Sequence, residues 1–337
     1  MNEYMAPEQD VVVYSRVRLA RNFADTPFMS AMDDNMAKRN VDRVTDYIAQ
    51  TPNGSDFERL AIKDLTASER SSLVERRLIS YDTLKRENWS VALISSDEAL
   101  SIMINEDDHI RIQGKLPGLQ LEKAGELAFQ IEKALSSRGD MAFDTQWGYL
   151  TASPTNVGTA MRAAAILHLP ALMATGQINQ ISQAIARLGM SMRGLYAADC
   201  DAMCAMYQIS NQTTLGRSED DILRSLTAAA LQVAGHERAV RDNMSANDKI
   251  GLTDRLMRSV GTLKYARIMP AREFMTRVSD LRMAAAMKLV NISLDEVDKL
   301  IVEMQPATIE VSLPSAKDQR AQDISRQNRI MEALKDV

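Results

Sequence analysis

Apolar and polar positions alternate near the start of the chain, which predicts a β-strand. Residues 11–21 (VVVYSRVRLAR) are rich in β-branched side chains, and the alternation puts Arg16 and Arg18 on one face and Val17 and Leu19 on the other. Two neighbouring guanidinium groups repel unless an anion lies between them, and arginine binds phosphate oxygens in a bidentate manner. The pattern therefore predicts a phosphate clamp, with a solvated strand face as the alternative.

A second alternation is interrupted by the run 105–111 (NEDDHIR), in which three carboxylates precede His109. Beyond the carboxylates, Ile110 and Ile112 share one face of a predicted strand, so Arg111 points where His109 points. Carboxylate and guanidinium groups this close together predict a functional site that acts on charged groups. An exposed acidic turn beside an ordinary arginine is the alternative.

Turn-forming residues precede a further arginine. The segment 153–158 is rich in Ser, Pro, Asn and Gly, which indicates a loop whose backbone can approach a ligand closely, and we expect it to lead into a helix that carries Arg162. Farther on, Arg193 opens the sequence RGLY. Ser218 and Asp221 then have the spacing of a capping box and predict the start of another helix.

Helical periodicity takes over in the last third of the chain, where strand patterns almost vanish. The mixture of strands and amphipathic helices before it predicts an α+β region, and the run MSANDKIG (244–251), just after Asn243, breaks the helical pattern. The predicted organisation is an α+β domain at 1–242 and a smaller, all-helical domain at 243–337. Helix faces are marked by Leu119, Leu127, Ile131 and Leu135; by Ile178, Ile181, Ile185 and Leu188; by Leu226, Ala230 and Val233; by Met275, Val278 and Leu281; and by Leu294, Val297 and Ile301.

Composition limits the possible classes of protein. With 337 residues, 45% of them hydrophobic, and a formal net charge of -5, the chain can bury a large core and is not expected to bind nucleic acid directly. The absence of a long apolar run, together with a polar start, predicts no membrane span and a cytoplasmic location. Cys200 and Cys204 have helical spacing, but with few histidines to accompany them we interpret both as reduced structural thiols and predict no metal-ligand residues.

Five segments occur together in the order and spacing of a known enzyme family. The chain resembles the ATP:guanidino phosphotransferases from about residue 11 to beyond residue 263, and it is most similar to the bacterial protein-arginine kinases of the McsB type. The resemblance implies a catalytic domain with an antiparallel sheet flanked by helices, of the glutamine-synthetase-like kind, and a helical domain used for dimerisation and regulation. The segments are SRVRLAR (15–21), NEDDHIR (105–111), SPTNVGTAMR (153–162), RGLY (193–196) and SNQTTLG (210–216).

The resemblance also implies a reaction, the transfer of the γ-phosphoryl group of ATP to a guanidinium nitrogen, with Mg²⁺ bridging the phosphates. A guanidinium has a pKa above about 12 and needs a carboxylate that orients it and accepts its proton. Asp107 matches that base, Glu106 lies beside it, and Ser153 matches a position next to the substrate. The residues on the nucleotide side are Ser15, Arg16, Arg18, Arg77, Arg111, Arg162 and Arg193.

The sequence departs from the family pattern at several of the positions that the resemblance places near the reacting groups. The second Glu of the family's Glu-Glu-Asp-His is Asp107, which is one methylene shorter, and a misplacement of about 1 Å can cost on the order of a hundredfold in rate. Ser153 stands where the family has an ionisable Cys, and Arg77 where it has His. Ala197-Ala198-Asp199 stands where the protein-arginine kinases have Gly-Glu-Gly, with Asp199 or Asp201 as a substitute carboxylate.

Two classes of function remain at this stage. The first is a protein-arginine kinase that acts on exposed arginines of proteins in a stress response, with a zinc-binding activator protein, a heat-shock repressor and a Clp-type unfoldase as partners. The second is a degenerate relative that keeps the phosphate arginines and acts as an ATP-binding regulatory protein. Only Asp323 and Arg326 remain of the motif with which relatives bind phosphoarginine allosterically. A free-arginine kinase is disfavoured, because the helical domain that helps enclose a small substrate in those enzymes is not seen before residue 11.

Overall fold

A computed structural model of the chain describes residues 5–52, 54–195, 203–313 and 318–337. Within this part of the chain, the predicted succession of mixed strands and helices followed by helices alone is confirmed. The strands are β1 (Val12–Arg21), β2 (Phe57–Ala61), β3 (Val91–Ser95), β4 (Leu100–Ile104), β5 (Ile110–Pro117), β6 (Phe143–Asp144), β7 (Gly148–Tyr149), β8 (Met161–His168), β9 (Met190–Gly194) and β10 (Met206–Asn211). The helices are α1 (Asp34–Ala49), α2 (Ala67–Glu75), α3 (Tyr81–Leu84), α4 (Leu121–Ser136), α5 (Pro170–Ala174), α6 (Ile178–Arg187), α7 (Glu219–Asn247), α8 (Lys249–Tyr265), α9 (Ala271–Ala286), α10 (Leu294–Glu303), α11 (Pro306–Ser312) and α12 (Gln319–Ala333).

The strands form one eight-stranded sheet and a separate hairpin. The sheet order is β2-β3-β4-β5-β1-β8-β10-β9, and the pairs from β2 to β1 are all antiparallel, as the family resemblance implied. Strands β6 and β7 pair with each other as the hairpin, and Tyr149 of β7 also forms an antiparallel bridge with Gly158.

The register of β1 and β5 gives this part of the sheet one apolar and one polar face. Leu19 lies opposite Ile112, and both are fully buried. The apolar face packs on α4 closely enough that a Cβ added at Gly114 would lie 2.2 Å from the carbonyl oxygen of Ala124. Directly opposite residues of an antiparallel pair point to the same face, so the polar face is the one left for a ligand.

The chain divides into two compact units. The described residues of one fall in Tyr14–Ala165 and Ser210–Thr227, and those of the other in Met1–Val13, Ile166–Ile209 and Ala228–Val337. The predicted boundary at residue 243 lies inside α7, and the helix break comes at Asp248, whose carboxylate caps α8 by accepting the Gly251 N–H at 2.8 Å. A functional division at residue 243 stays a prediction.

The periodic segments predicted as helices are confirmed as α4, α6, α7, α9 and α10. The capping prediction is also confirmed in part, because Ser218 Oγ accepts the Asp221 N–H at 3.1 Å at the start of α7. The prediction of a helix carrying Arg162 is wrong, since that residue lies in strand β8. The eight-residue run MRAAAILH is almost completely buried between β1 and β10, and this burial on both faces outweighs the helix preference of its alanines.

Candidate functional site

Cationic side chains line the polar face of β1 and β5. Arg16 lies opposite Lys115 and Arg18 opposite Gln113, while Arg111 is two positions from Gln113 on the same face. Arg16 is only 8% exposed. Guanidinium groups held on a rigid strand at this density provide electrostatic stabilisation for an anion without rearranging.

The turn after α2 is tied to the same face. Gln113 Nε2 donates to the carbonyl oxygen of Arg77 at 2.7 Å, and Lys115 Nζ donates to that of Arg76 at 3.3 Å. Arg77 has a φ of 61°, a left-handed conformation that is uncommon for a residue with a side chain. Two side chains of β5 thus hold two successive carbonyl groups of a strained turn, which positions Arg77 beside the arginines of the sheet.

Backbone carbonyls hold the guanidinium of Arg162. Its Nη1 donates to the carbonyl oxygens of Asn211 at 3.0 Å and Gln212 at 2.8 Å, and its Nη2 donates to that of Thr155 at 3.0 Å. Its Nε donates to the side chain of Asn156 at 3.1 Å. Arg162 therefore joins the two turn-rich segments singled out in the sequence.

Glu106 forms the buried part of the acidic run. Its side chain is fully buried, pairs with Arg111 Nη1 at 2.5 Å and accepts a hydrogen bond from the Ser80 hydroxyl. Burial raises the pKa of Glu106 above its ordinary value, while the Arg111 charge opposes that rise. Asp107 is only partly buried, and its backbone N–H donates to Glu106 Oε2 at 3.3 Å. Of these two carboxylates, Glu106 is committed to Arg111, and Asp107 is the one within reach of a ligand.

Asp108 connects the acidic run to the loop that carries Ser153. Its Oδ1 accepts a hydrogen bond from Asn22 Nδ2 at 2.7 Å and from the backbone N–H of Ala152 at 2.8 Å. Ser153 itself is partly buried, with its hydroxyl 2.9 Å from that of Thr155. The loops that carry residues 107 and 153 are thus joined through one buried carboxylate.

His109 stabilises the same region and does not face a ligand. It is fully buried, its Nδ1 accepts the Phe23 N–H at 3.0 Å, and its Nε2 lies 2.8 Å from the carbonyl oxygen of Pro27. A backbone donor on one nitrogen and a backbone acceptor at the other define the neutral tautomer with Nε2 protonated. Burial also lowers the pKa of His109, which keeps the ring neutral.

One residue predicted for the site, Ser15, does not share the face of Arg16. Ser15 is on the face of β1 opposite to Arg16, where its hydroxyl donates to the carbonyl oxygen of Gly118 at 2.9 Å and accepts the Gln120 N–H at 2.8 Å. It ties β1 to the turn before α4, and its hydroxyl is engaged there, on the face of β1 that points away from Arg16. Arg193 lies exposed in β9, and its part in the nucleotide site stays a prediction.

The remaining predictions concern the carboxyl-terminal region and the loop after RGLY. Arg326 is fully buried and donates to the carbonyl oxygens of Met304 at 2.9 Å and Met269 at 2.7 Å, and to Asp323 at 2.6 Å. This pair therefore has a clear structural role, and its role in phosphoarginine binding stays a prediction. Tyr196, Ala197-Ala198-Asp199, Cys200 and Asp201 lie outside the described residues.

Across the described ranges, no group of three or more His, Cys, Asp or Glu side chains is arranged to hold a metal ion. Mg²⁺ commonly binds through substrate phosphates and one or two carboxylates rather than in a protein cage, so Asp107 beside the cationic face is compatible with a metal that arrives with a nucleotide. No helix within the described part of the chain is long and apolar enough to cross a membrane.

Sequence reasoning missed most of the residues that support the site. The strand alternation puts Gln113 on the face of Arg111, and Lys115 could have been found by continuing the same alternation. Asn22 and Ser80 carry no local signal, because their partners are 86 and 26 residues away in the sequence. Such long-range polar contacts depend on the folded sheet.

Comparison with known proteins agrees with this geometry. The model of the ATP:guanido phosphotransferase C-terminal catalytic domain matches residues 39–240, and that of the protein-arginine kinase McsB C-terminal domain matches residues 249–337. The protein-arginine kinase of Caldanaerobacter subterraneus is 39% identical over 305 residues, which cover 90% of each chain, and that of Moorella thermoacetica is 38% identical over 338 residues, 98% of this chain and 96% of its own.

Solved structures share the fold at lower identity. The duplicated taurocyamine kinase from Schistosoma mansoni, with bound transition state analog components, has a TM-score of 0.61 at 21% identity, with 69% of this chain and 34% of that one covered. Lombricine kinase has a TM-score of 0.60 at 18% identity, with 71% of this chain and 70% of that one covered. The chain therefore belongs to the ATP:guanido phosphotransferase family, in the group of the protein-arginine kinases.

Proposed function

We propose that the protein transfers the γ-phosphoryl group of ATP to arginine side chains of other proteins. The observation that carries the proposal is the placement of Arg16, Arg18 and Arg111 on one sheet face, with the partly buried Asp107 next in the chain to Glu106, the ion-pair partner of Arg111. Phosphoryl transfer is catalysed mainly by positioning and by charge stabilisation, and this face supplies both. The full-length similarity to protein-arginine kinases supports protein arginine as the substrate.

In the proposed reaction, a nitrogen of the substrate guanidinium attacks the γ-phosphorus of ATP. The N–P bond forms as the bond between the γ-phosphorus and the β,γ-bridging oxygen breaks, so ADP leaves. Asp107 orients the guanidinium and accepts the proton lost by the attacking nitrogen. The arginines of the sheet face and Arg162 stabilise the negative charge on the phosphoryl oxygens, and Ser153 would contact the substrate through its hydroxyl.

Mg²⁺ would be held by the nucleotide phosphates, with Asp107 as the accessible carboxylate nearby, and it would supply further charge neutralisation. We also include in the proposal a cytoplasmic homodimer that acts in the stress response with a zinc-binding activator, a heat-shock repressor and a Clp-type unfoldase. These partners rest on the family resemblance, and direct binding measurements with each purified partner would test them.

The test of the proposed activity is incubation with MgATP and an arginine-rich unfolded protein, followed by mass spectrometry under non-acidic conditions, because the phosphorus–nitrogen bond is acid-labile. We expect phosphoarginine with the unaltered protein and none with Arg162→Ala. Arg224→Ala is the matched control, because Arg224 is exposed and pairs with Asp221 three residues away on the same helix. ATP binding without any phosphoarginine would instead support the degenerate regulatory relative.

A further inference from the structure

Lys115 lies on the cationic face but has no counterpart among the nucleotide-side residues named from the family pattern. The register of β1 and β5 puts it directly opposite Arg16. It is also two and four positions from Gln113 and Arg111 on one strand, so all of these side chains point to the same face. Its placement is thus determined by backbone pairing.

The surroundings of Lys115 are rich in positive charge. Its ammonium group makes one hydrogen bond, to the carbonyl oxygen of Arg76 at 3.3 Å, and forms no ion pair with a carboxylate in the ranges that the structure describes. The nearby carboxylates interact with Arg76 instead. Glu98 forms an ion pair with Arg76, and the negative charge of Glu58 favours its charged guanidinium. A partly buried lysine in this setting lacks the anionic partner that such a group normally has.

Burial, followed by the positive charges of Arg76 and Arg16, lowers the pKa of Lys115 to about 8. A phosphate bound against Arg16 would offset those charges and favour the protonated ammonium. Anion binding at this face should therefore be accompanied by proton uptake near pH 8.

We propose that Lys115 is a further phosphate-binding residue, which contacts the nucleotide phosphates together with Arg16. The inference rests on the proposed function, because it assumes that the nucleotide binds on this face. It extends that function by adding a cation on β5 to the arginine set.

The test compares binding of MgATP and of adenosine to the full chain by isothermal titration calorimetry. We expect Lys115→Met to weaken MgATP binding about tenfold or more, as for loss of a hydrogen bond to a charged group, and to leave adenosine binding unchanged. Lys123→Met is the control, since Lys123 is exposed on α4 and donates to the side chain of Gln120 three residues before it. Lys115→Arg should retain most of the MgATP affinity.

Proton uptake gives a second measurement on the unaltered protein. At pH 8, titrations in buffers of different ionisation enthalpy should show uptake of up to about half a proton per MgATP, because about half of the Lys115 side chains are neutral beforehand. The uptake should vanish in Lys115→Arg, whose guanidinium is already charged.

The outcomes separate the two proposals. If the unaltered protein does not bind MgATP, both the nucleotide site and the role of Lys115 are overturned. If it binds MgATP but Lys115→Met binds equally well, or if no proton uptake occurs, only the role of Lys115 is overturned. An equal loss of MgATP and adenosine affinity in Lys115→Met would show that Lys115 merely holds the Arg76 turn.

Discussion

Glu106 and Arg111 form a buried ion pair directly beside the proposed catalytic base, with Glu106 Oε1 2.5 Å from Arg111 Nη1. Removal of one partner of such a pair leaves the other charge in a poorly solvated place. The pair therefore contributes to the stability of the fold as well as to the arrangement of the site.

We expect Glu106→Ala to lower the free energy of unfolding by about 3 kcal/mol or more, because it leaves Arg111 uncompensated. Glu106→Gln should cost less, since an amide can still accept hydrogen bonds from Ser80 and Arg111. Urea denaturation measures both, with the exposed Glu126→Ala as control. Equal stability of Glu106→Ala and the control would contradict a buried pair.

Asp107→Ala should remove phosphoarginine formation while MgATP binding persists, because the carboxylate is proposed to act on the substrate guanidinium. Asp107→Glu should be faster than the unaltered protein if the missing methylene limits positioning. Single-turnover rates measured under identical conditions check both variants. Full activity of Asp107→Ala would exclude this residue as the base.

Ser153→Cys should raise the phosphorylation rate, because a thiol can ionise near neutral pH and place negative charge beside the substrate guanidinium. The increase should follow thiolate formation as the pH rises from about 7 to 9. Ser153→Ala is the matched variant, and it should show no such pH-dependent increase. A rate for Ser153→Cys equal to that of Ser153→Ala at every pH would show that charge at this position is irrelevant.

Stability should fall as the pH is lowered, partly because of His168. The ring is fully buried, Nε2 lies 2.9 Å from Ser279 Oγ, and burial, with the charges of Arg282 and Arg241, lowers the pKa of His168 well below its ordinary value. The unfolded chain therefore takes up a proton below about pH 6.5 that the folded chain does not bind.

We expect the loss of unfolding free energy between pH 7 and 5.5 to be about 1 kcal/mol smaller in His168→Asn than in the unaltered protein. Comparison of the two proteins at each pH cancels the opposing contribution of Glu106 and Asp298, whose pKa values are raised by burial. His109→Asn should change the slope in the same direction, because its pKa is also lowered by burial. Parallel pH profiles for the unaltered protein and His168→Asn would rule out this linkage.

Gly158→Ala should destabilise the turn that precedes β8. Gly158 has a φ of 113°, and an added Cβ would lie 2.3 Å from the carbonyl oxygen of Thr214. Gly176→Ala is the control, because Gly176 also has a positive φ, of 70°, but nothing lies within 4 Å of an added Cβ. The melting temperature of Gly158→Ala should be lower than that of the control, and equal values would mean that the close approach is relieved at no cost.

The sequence predicted the elements whose side chains alternate in polarity. Strand β1 and the face shared by Arg16 and Arg18 followed from period-two patterning, and the helices of the last third followed from their apolar faces. Strand β8 was missed because a fully buried strand rich in alanine has no alternation to detect. Ser15 was assigned to the site from the family motif. Because side chains alternate along a strand, Ser15 points to the other face of β1 from its neighbour Arg16.

The hydrogen bond from the Ala152 N–H to Asp108 links the two loops that carry Asp107 and Ser153, the positions where this chain departs from the family pattern. Residue 107 is the chain neighbour of the acceptor and residue 153 that of the donor, across a separation of 2.8 Å. A displacement of either loop is transmitted to the other, so the effects of substitutions at the two positions should not add. The rate of the double variant Asp107→Glu/Ser153→Cys should therefore differ from the product of the two single effects, and the two altered positions behave as one coupled unit.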